Sequence, residues 1–167
     1  MNLIILFTTI LLFIVSCQPS SNQEPTAQSK LTTHDSLKVV QEVLGVVDDY
    51  TLAHNDLDDA KSAECFVNSP ELVVAENSEL TPNWEVLAKQ IKEFHSTVAT
   101  SQLSWENKKV LVLSLNSAAM TGRFSFNALL KDKKKISLSG YVTIVLVKHN
   151  NQWKFYQYHE SYKVVNN

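Results

Sequence analysis

The sequence predicts an α+β fold: three N-terminal helices packed on a strongly curved, mainly antiparallel sheet that closes into a cone. Three observations lead there. Apolar residues recur every three or four positions over residues 37–54 and again over 84–98, as on amphipathic helices. From Ser101 onward the pattern changes to long alternating segments joined by short polar turns, the signature of an antiparallel meander. Helices that precede all the long strands can cover only one face of them. With 167 residues, 44% hydrophobic and 19% charged, the chain suits one domain with a real core.

The first helix starts near Leu31, where Thr33 or Asp35 can cap it, and carries Leu37, Val40, Val43, Leu44, Val47, Tyr50 and His54 on one face. Gly45 inside this pattern costs about 1 kcal/mol against alanine, which suggests close approach of another element. Asp56 is the expected cap of a short second helix over Leu57–Phe66, with Asp59 completing a capping box. The acidic run lacks the spaced ligands and central glycine of a calcium loop.

Glu71–Glu76 reads as a strand and Asn77–Thr81 as a turn. Pro82 opens a third helix whose apolar stripe is Trp84, Leu87, Ile91, Phe94/His95 and Val98. Ser101–Asn116 is a long strand with a bulge expected near Asn107-Lys108-Lys109. Ser117–Leu130 alternates, with Met120, Gly122, Phe124, Phe126 and Ala128 on one face. A hairpin of Ile136–Lys148 and Gln152–Val164 closes the chain. Period two puts Trp153, Phe155, Gln157, His159 and Ser161 on one face of the last strand and Tyr156, Tyr158 and Tyr162 on the other.

The first thirty residues stand apart. Leu3–Val15 is an apolar run of thirteen residues, shorter than the ~20 that span a bilayer. It fits a secretory signal. The following Ile14-Val15-Ser16-Cys17 resembles a bacterial lipobox. That resemblance implies a signal peptide over 1–16, lipidation of Cys17 and anchoring to the lipid bilayer. Residues 17–30, polar and proline-containing, read as a flexible tether ahead of a domain over 31–167. Gln18, in place of an aspartate, implies the outer membrane of a bacterial cell envelope. With Cys17 lipidated, Cys65 has no partner for a disulfide and reads as a buried small apolar residue.

A formal net charge of -2 makes no electrostatic case for nucleic acid, and Lys131–Lys135 reads as a solvated turn. No metal is expected, since His54, His95 and His159 are scattered without ligand spacing. No cofactor is expected either, since only three glycines exist and none forms a phosphate loop.

The stretches Tyr50-Thr-Leu-Ala-His54, Asp56-Leu-Asp58, the Trp84–Val98 helix, Val110–Leu113, Ala119–Gly122 and the Thr143–Lys148/Trp153–Ser161 hairpin together resemble a SnoaL-like domain of the nuclear transport factor 2-like superfamily. The resemblance covers roughly Leu37 to Tyr162. It implies the cone more firmly than an activity, because members include isomerases, cyclases, dehydratases, dimerisation modules and binding domains.

Three functional readings follow. The first is a non-catalytic lipoprotein whose cone holds a small apolar or amphipathic molecule, with Tyr50, His54, Trp84, Phe94 and His159 as pocket candidates. The second is a small isomerase, cyclase or hydratase using His159 as a general base with Tyr50 or Asp56. The third is a module that homodimerises through Tyr156, Tyr158 and Tyr162. No catalytic residue is assigned.

Overall fold

The computed structural model describes residues 31–165. The expected signal peptide, the Cys17 anchor and the tether lie outside the described residues. Among the described residues no helix is long and apolar enough to cross a membrane.

Helix α1, Thr33–Asn55, is capped one residue earlier than expected. Thr32 accepts from the Asp35 N–H while the Asp35 carboxylate accepts from the Thr32 N–H, a reciprocal capping box. Asp56 caps the end of α1 rather than the start of the next helix. Leu57 then takes a left-handed φ of 57°, and Asp58 caps the short α2, Asp59–Glu64. The expected cap is corrected by two residues, because the positive φ at Leu57 breaks the helical path there.

Strand β1, Val73–Glu76, pairs with β2, Glu79–Thr81. The stretch expected as a plain turn is therefore a tight hairpin. Its two central residues, Asn77 and Ser78, have φ of 43° and 83°, the primed turn that matches strand twist. Asn83 caps helix α3, Trp84–Thr97, so Pro82 lies just outside it. Four long strands complete the chain: β3, Val98–Ser114; β4, Ser117–Leu130; β5, Lys135–His149; and β6, Gln152–Val164. The β5–β6 turn is again primed, with φ of 51° and 62° at Asn150 and Asn151.

The six strands form one curved, mixed sheet in the order β2-β1-β6-β5-β4-β3. All pairings are antiparallel except β1 with β6, which is parallel. The helices cover its concave face. Val43 and Val47 of α1 meet Met120, Val142, Ile144, Leu146 and Phe155 in a common core. The α+β cone predicted from the sequence is thus the fold observed. Gly45, however, faces open space, with nothing within 4 Å of where a Cβ would stand. It makes no close approach.

Bulges bend the long strands. One falls between Glu106 and Lys109, at the expected place, with Asn107 at φ 55°. Another carries more weight. Leu146 pairs with Phe155 but Val145 pairs with Gln157, so Tyr156 is an extra residue in β6. Beyond it the side-chain phase of β6 reverses.

Candidate functional site

The phase reversal decides which side chains line the cone. Before the bulge, Trp153 and Phe155 are buried. After it, Tyr158, Glu160 and Tyr162 sit opposite Ile144, Val142 and Gly140 on the concave face. Gln157, His159 and Ser161 are exposed on the outer face. The expectation that His159 faces the interior is corrected by this inserted residue. So is the shared outward face of three tyrosines. Tyr158 is buried, Tyr162 packs edge-on against Phe124 with ring centroids 6.3 Å apart, and Tyr156 donates to Glu71 at 3.0 Å.

Parallel pairing brings β1 alongside. Alternation puts Val74 and Glu76 on the concave face, opposite Tyr158 and Glu160. Asn77 extends this pairing past the end of β1. Its N–H donates to the Glu160 carbonyl, and its side chain both accepts from the Tyr162 N–H, at 2.9 Å, and donates to the Tyr162 carbonyl. Across β5, Gly140 makes room. A Cβ there would lie 2.7 Å from the Tyr162 Cα and closer still to the Ser161 carbonyl oxygen. Two carboxylates and two tyrosines are thereby held by backbone pairing on one patch of sheet.

Tyr50 of α1 reaches the same patch. Its ring centroid is 5.4 Å from that of Phe155, 5.7 Å from Phe66 and 6.4 Å from Tyr158. These rings fill the middle of the cone. Beside them on the sheet lie Glu76, Glu160 and Tyr162, with Glu76 exposed and Glu160 and Tyr162 half-buried. Glu76 is exposed by surface area, yet burial in the surrounding protein raises its pKa.

The Tyr158 hydroxyl donates to Glu160 at 2.6 Å. Burial, and then the neighbouring Glu76 charge, push the Glu160 carboxyl up to about 7, against a lowering by that hydrogen bond. The same burial raises the Tyr50 and Tyr158 hydroxyls, with the Glu160 charge adding to each. The Tyr50 hydroxyl has no hydrogen-bond partner among the described residues, although its residue keeps accessible surface. A carboxyl poised near neutrality beside a free hydroxyl can bind a polar group or move a proton.

A second polar cluster lies deeper. His54 Nδ1 is 3.0 Å from His95 Nε2. Tyr50 stacks on His54 at 5.8 Å, and Phe94 and Phe126 flank it at 6.1 and 5.4 Å. Burial, and then His95, pull His54 down to about 4, so both rings are neutral near pH 7. The structure thus gathers Tyr50, His54 and Phe94 but not Trp84, whose indole N–H donates to the Ala63 carbonyl between α3 and α2. Asp56 is exposed at the end of α1. It lines a separate cleft of about 460 Å³ outside the cone, with Asp49, Asp58 and Lys61. Among the described residues no group of three or more His, Cys, Asp or Glu could hold a metal. Burial pushes the Cys65 thiol up to about 11, so it is no nucleophile near neutral pH.

The sequence reading missed Glu76, although the alternation of Leu72, Val74 and Glu76 was enough to place it on the inward face. Glu160 was hidden by the bulge, for which the sequence around Tyr156 carries no glycine or other marker.

This sheet-and-helix cone is the nuclear transport factor 2-like fold. More narrowly, residues 43–165 match the SnoaL-like domain, and the chain belongs to that family. Solved structures agree on the fold. A nuclear transport factor 2-like superfamily protein from Salmonella enterica superposes with TM-score 0.70 at 19% identity, over 79% of this chain and 94% of that one. An NTF-2 like protein from Shewanella oneidensis gives 0.65 at 18%, over 74% and 98%. A type 2 hexachlorocyclohexane dehydrochlorinase, LinA, gives 0.68 at 10%, over 81% and 94%. No curated relative matches the chain.

Proposed function

We propose that this SnoaL-like domain binds a small amphipathic molecule at the patch shared by α1, β1 and β6, and that it does so as a lipidated protein of the bacterial cell envelope. The observation that carries the binding reading is the Tyr158–Glu160 hydrogen bond, 2.6 Å long, set beside Glu76 and the unpartnered Tyr50 hydroxyl in an aromatic surround. Apolar walls with a few convergent polar groups are the usual form of a small-molecule site. The envelope reading is supported by the apolar run Leu3–Val15, by Cys17 at its end and by the polar stretch behind it.

Binding is tested with the neutral fluorescent probe N-phenyl-1-naphthylamine. One saturable site is expected, weakened about tenfold by Tyr162→Trp, which crowds that patch. Unsaturable fluorescence, or a variant that binds as well as the parent, would count against it. Anchoring is tested by Cys17→Ser, which should move the protein from the membrane to the soluble fraction. Retention in the membrane would remove the lipobox reading.

The position of Glu160 near neutrality favours a second reading, proton transfer catalysed by this carboxyl rather than by His159. LinA, with the same fold, is named for a dehydrochlorination. Deuterium exchange into carbonyl compounds with acidic α-protons, followed by proton NMR, should then depend on Glu160. Exchange that survives Glu160→Gln would exclude it.

A further inference from the structure

We propose that the end of the domain formed by the start of α1 and the β3–β4 turn is a membrane-contact surface, where Leu37, Leu111, Leu113 and Leu115 rest in the headgroup region of the bilayer that holds the lipid anchor. The inference rests on the reading of Cys17 as lipidated, and it adds which end of the domain the bilayer meets.

Three contacts fix how α1 lies along β3. Asn55 donates to the Leu103 carbonyl, Thr51 accepts from the Trp105 indole, and Asp48 pairs with Lys108. The helix therefore runs antiparallel to β3. Asp48, Thr51 and Asn55 form one helical stripe, and the same spacing carried back along α1 passes through Leu44, Gln41 and Leu37. Leu37 thus lies on the β3 side of the helix. Lys148 fixes its level. The Lys148 N–H donates to the Asn116 carbonyl in the β3–β4 turn, and its ammonium pairs with Glu42 of α1 at 2.8 Å. Leu37 stands about 7–8 Å beyond Glu42 along the helix axis, at the tip of β3.

Four large apolar side chains are left exposed at this end: Leu37 by 59%, Leu111 by 63%, Leu113 by 50% and Leu115 by 46%. Leu111 and Leu113 share the outer face of β3, and Ala119 and Val145 continue the Leu111 row across β4 and β5. Exposed leucines are ordinary singly, whereas several at one end mark a contact surface. The turn also leaves little backbone unpaired. The Asn116 N–H donates to Ser114, and its carbonyl accepts from Lys148.

The course of the chain points to lipid as the occupant. The domain begins at this end, where Thr32 caps α1, and residues 18–30 span at most about 45 Å back to Cys17. An anchored domain stays within that reach, and the end from which the chain departs is held nearest the bilayer. Leucine side chains alone suit so shallow a contact. Lys109, on the same outer face of β3, can reach lipid phosphate.

Nitroxide labels at Leu113→Cys and, at the far end of the same strand face, Gln102→Cys measure depth. The lipidated full chain is placed in vesicles of phosphatidylethanolamine and phosphatidylglycerol, and Cys65 is buried away from the label. In electron paramagnetic resonance, the ratio of oxygen to nickel-chelate collisions should be about fivefold higher at the Leu113 site than at the Gln102 site. Water-like ratios at both sites of the anchored protein overturn the contact surface while the anchor stands. Dipolar broadening between Leu113-site labels in the soluble Cys17→Ser chain would assign the patch to a second copy and also overturn it. Failure of the unaltered protein to fractionate with membranes overturns both readings. If Leu113→Cys does not fold, a label at Leu115→Cys in the turn decides.

Discussion

His54 Nδ1 and His95 Nε2 share a hydrogen bond of 3.0 Å between two helices, enclosed by the rings of Tyr50, Phe94 and Phe126. One ring must donate and the other accept, so the pair is complete only while at least one ring is neutral. The geometry has a direct consequence for stability in acid.

His54 is pulled from 6.5 to about 4 in the folded chain, first by burial and then by His95. The unfolded chain therefore takes up the proton first as pH falls. The contribution is fully present above about pH 6.5 and is lost on descent toward pH 4. At ~1.4 kcal/mol per pKa unit it is on the order of 3 kcal/mol. Chemical denaturation of His54→Gln should show a smaller fall in stability over that window than the parent.

Glu160 acts with the opposite sign. Its folded pKa is raised from 4.5 to about 7, so the fold favours the protonated carboxyl. That contribution is present below about pH 4.5 and is lost as pH rises through 7. The charged and titratable groups around it are Glu76 of β1, Tyr50 of α1, and Tyr158 and Tyr162 of β6. Glu160→Gln should be more stable than the parent above pH 7. It should also fall more steeply between pH 7 and 4, because the histidine term is then uncompensated. Parallel denaturation curves for the two proteins at all pH values would refute this.

Two glycines should respond in opposite directions. Gly45→Ala meets nothing within 4 Å and relieves a helix interior of glycine, so it should stabilise by about 0.5–1 kcal/mol. Gly140→Ala drives a Cβ into the backbone at Ser161 and Tyr162. It should destabilise by about 1–3 kcal/mol. It should also shift the Tyr162 side-chain signals in NMR spectra. Thermal melts of both variants provide the comparison.

Phe155 has no accessible surface and touches Tyr50, Phe66 and Tyr158 through its ring. Phe155→Ala should cost about 3–5 kcal/mol, seen as a matching loss in denaturation midpoint at unchanged slope. A loss below about 1 kcal/mol would mean that these rings do not form a tight core.

The architecture was readable because it rests on periodicity. The spacing of Val43, Val47 and Tyr50, and the alternation through Met120, Phe124 and Phe126, each extend over several repeats and tolerate a local error. The site rests on single residues and was only partly readable. Tyr50, His54 and Phe94 follow from helical spacing on elements with no interruption. Glu160 and His159 lie beyond a bulge, and one inserted residue exchanges them. Propensity at Tyr156 favours a strand either way, so only the register with β5 reveals the insertion.

The bulge at Tyr156 also bears on how this protein could change over time. Removal of that one residue would make Phe155 and Gln157 neighbours opposite Leu146 and Val145, with every later pairing unchanged. β6 would then alternate without interruption, and Tyr158, Glu160 and Tyr162 would keep the concave face. A single in-frame codon deletion would thus straighten the strand and leave the inward-facing chemistry as it is.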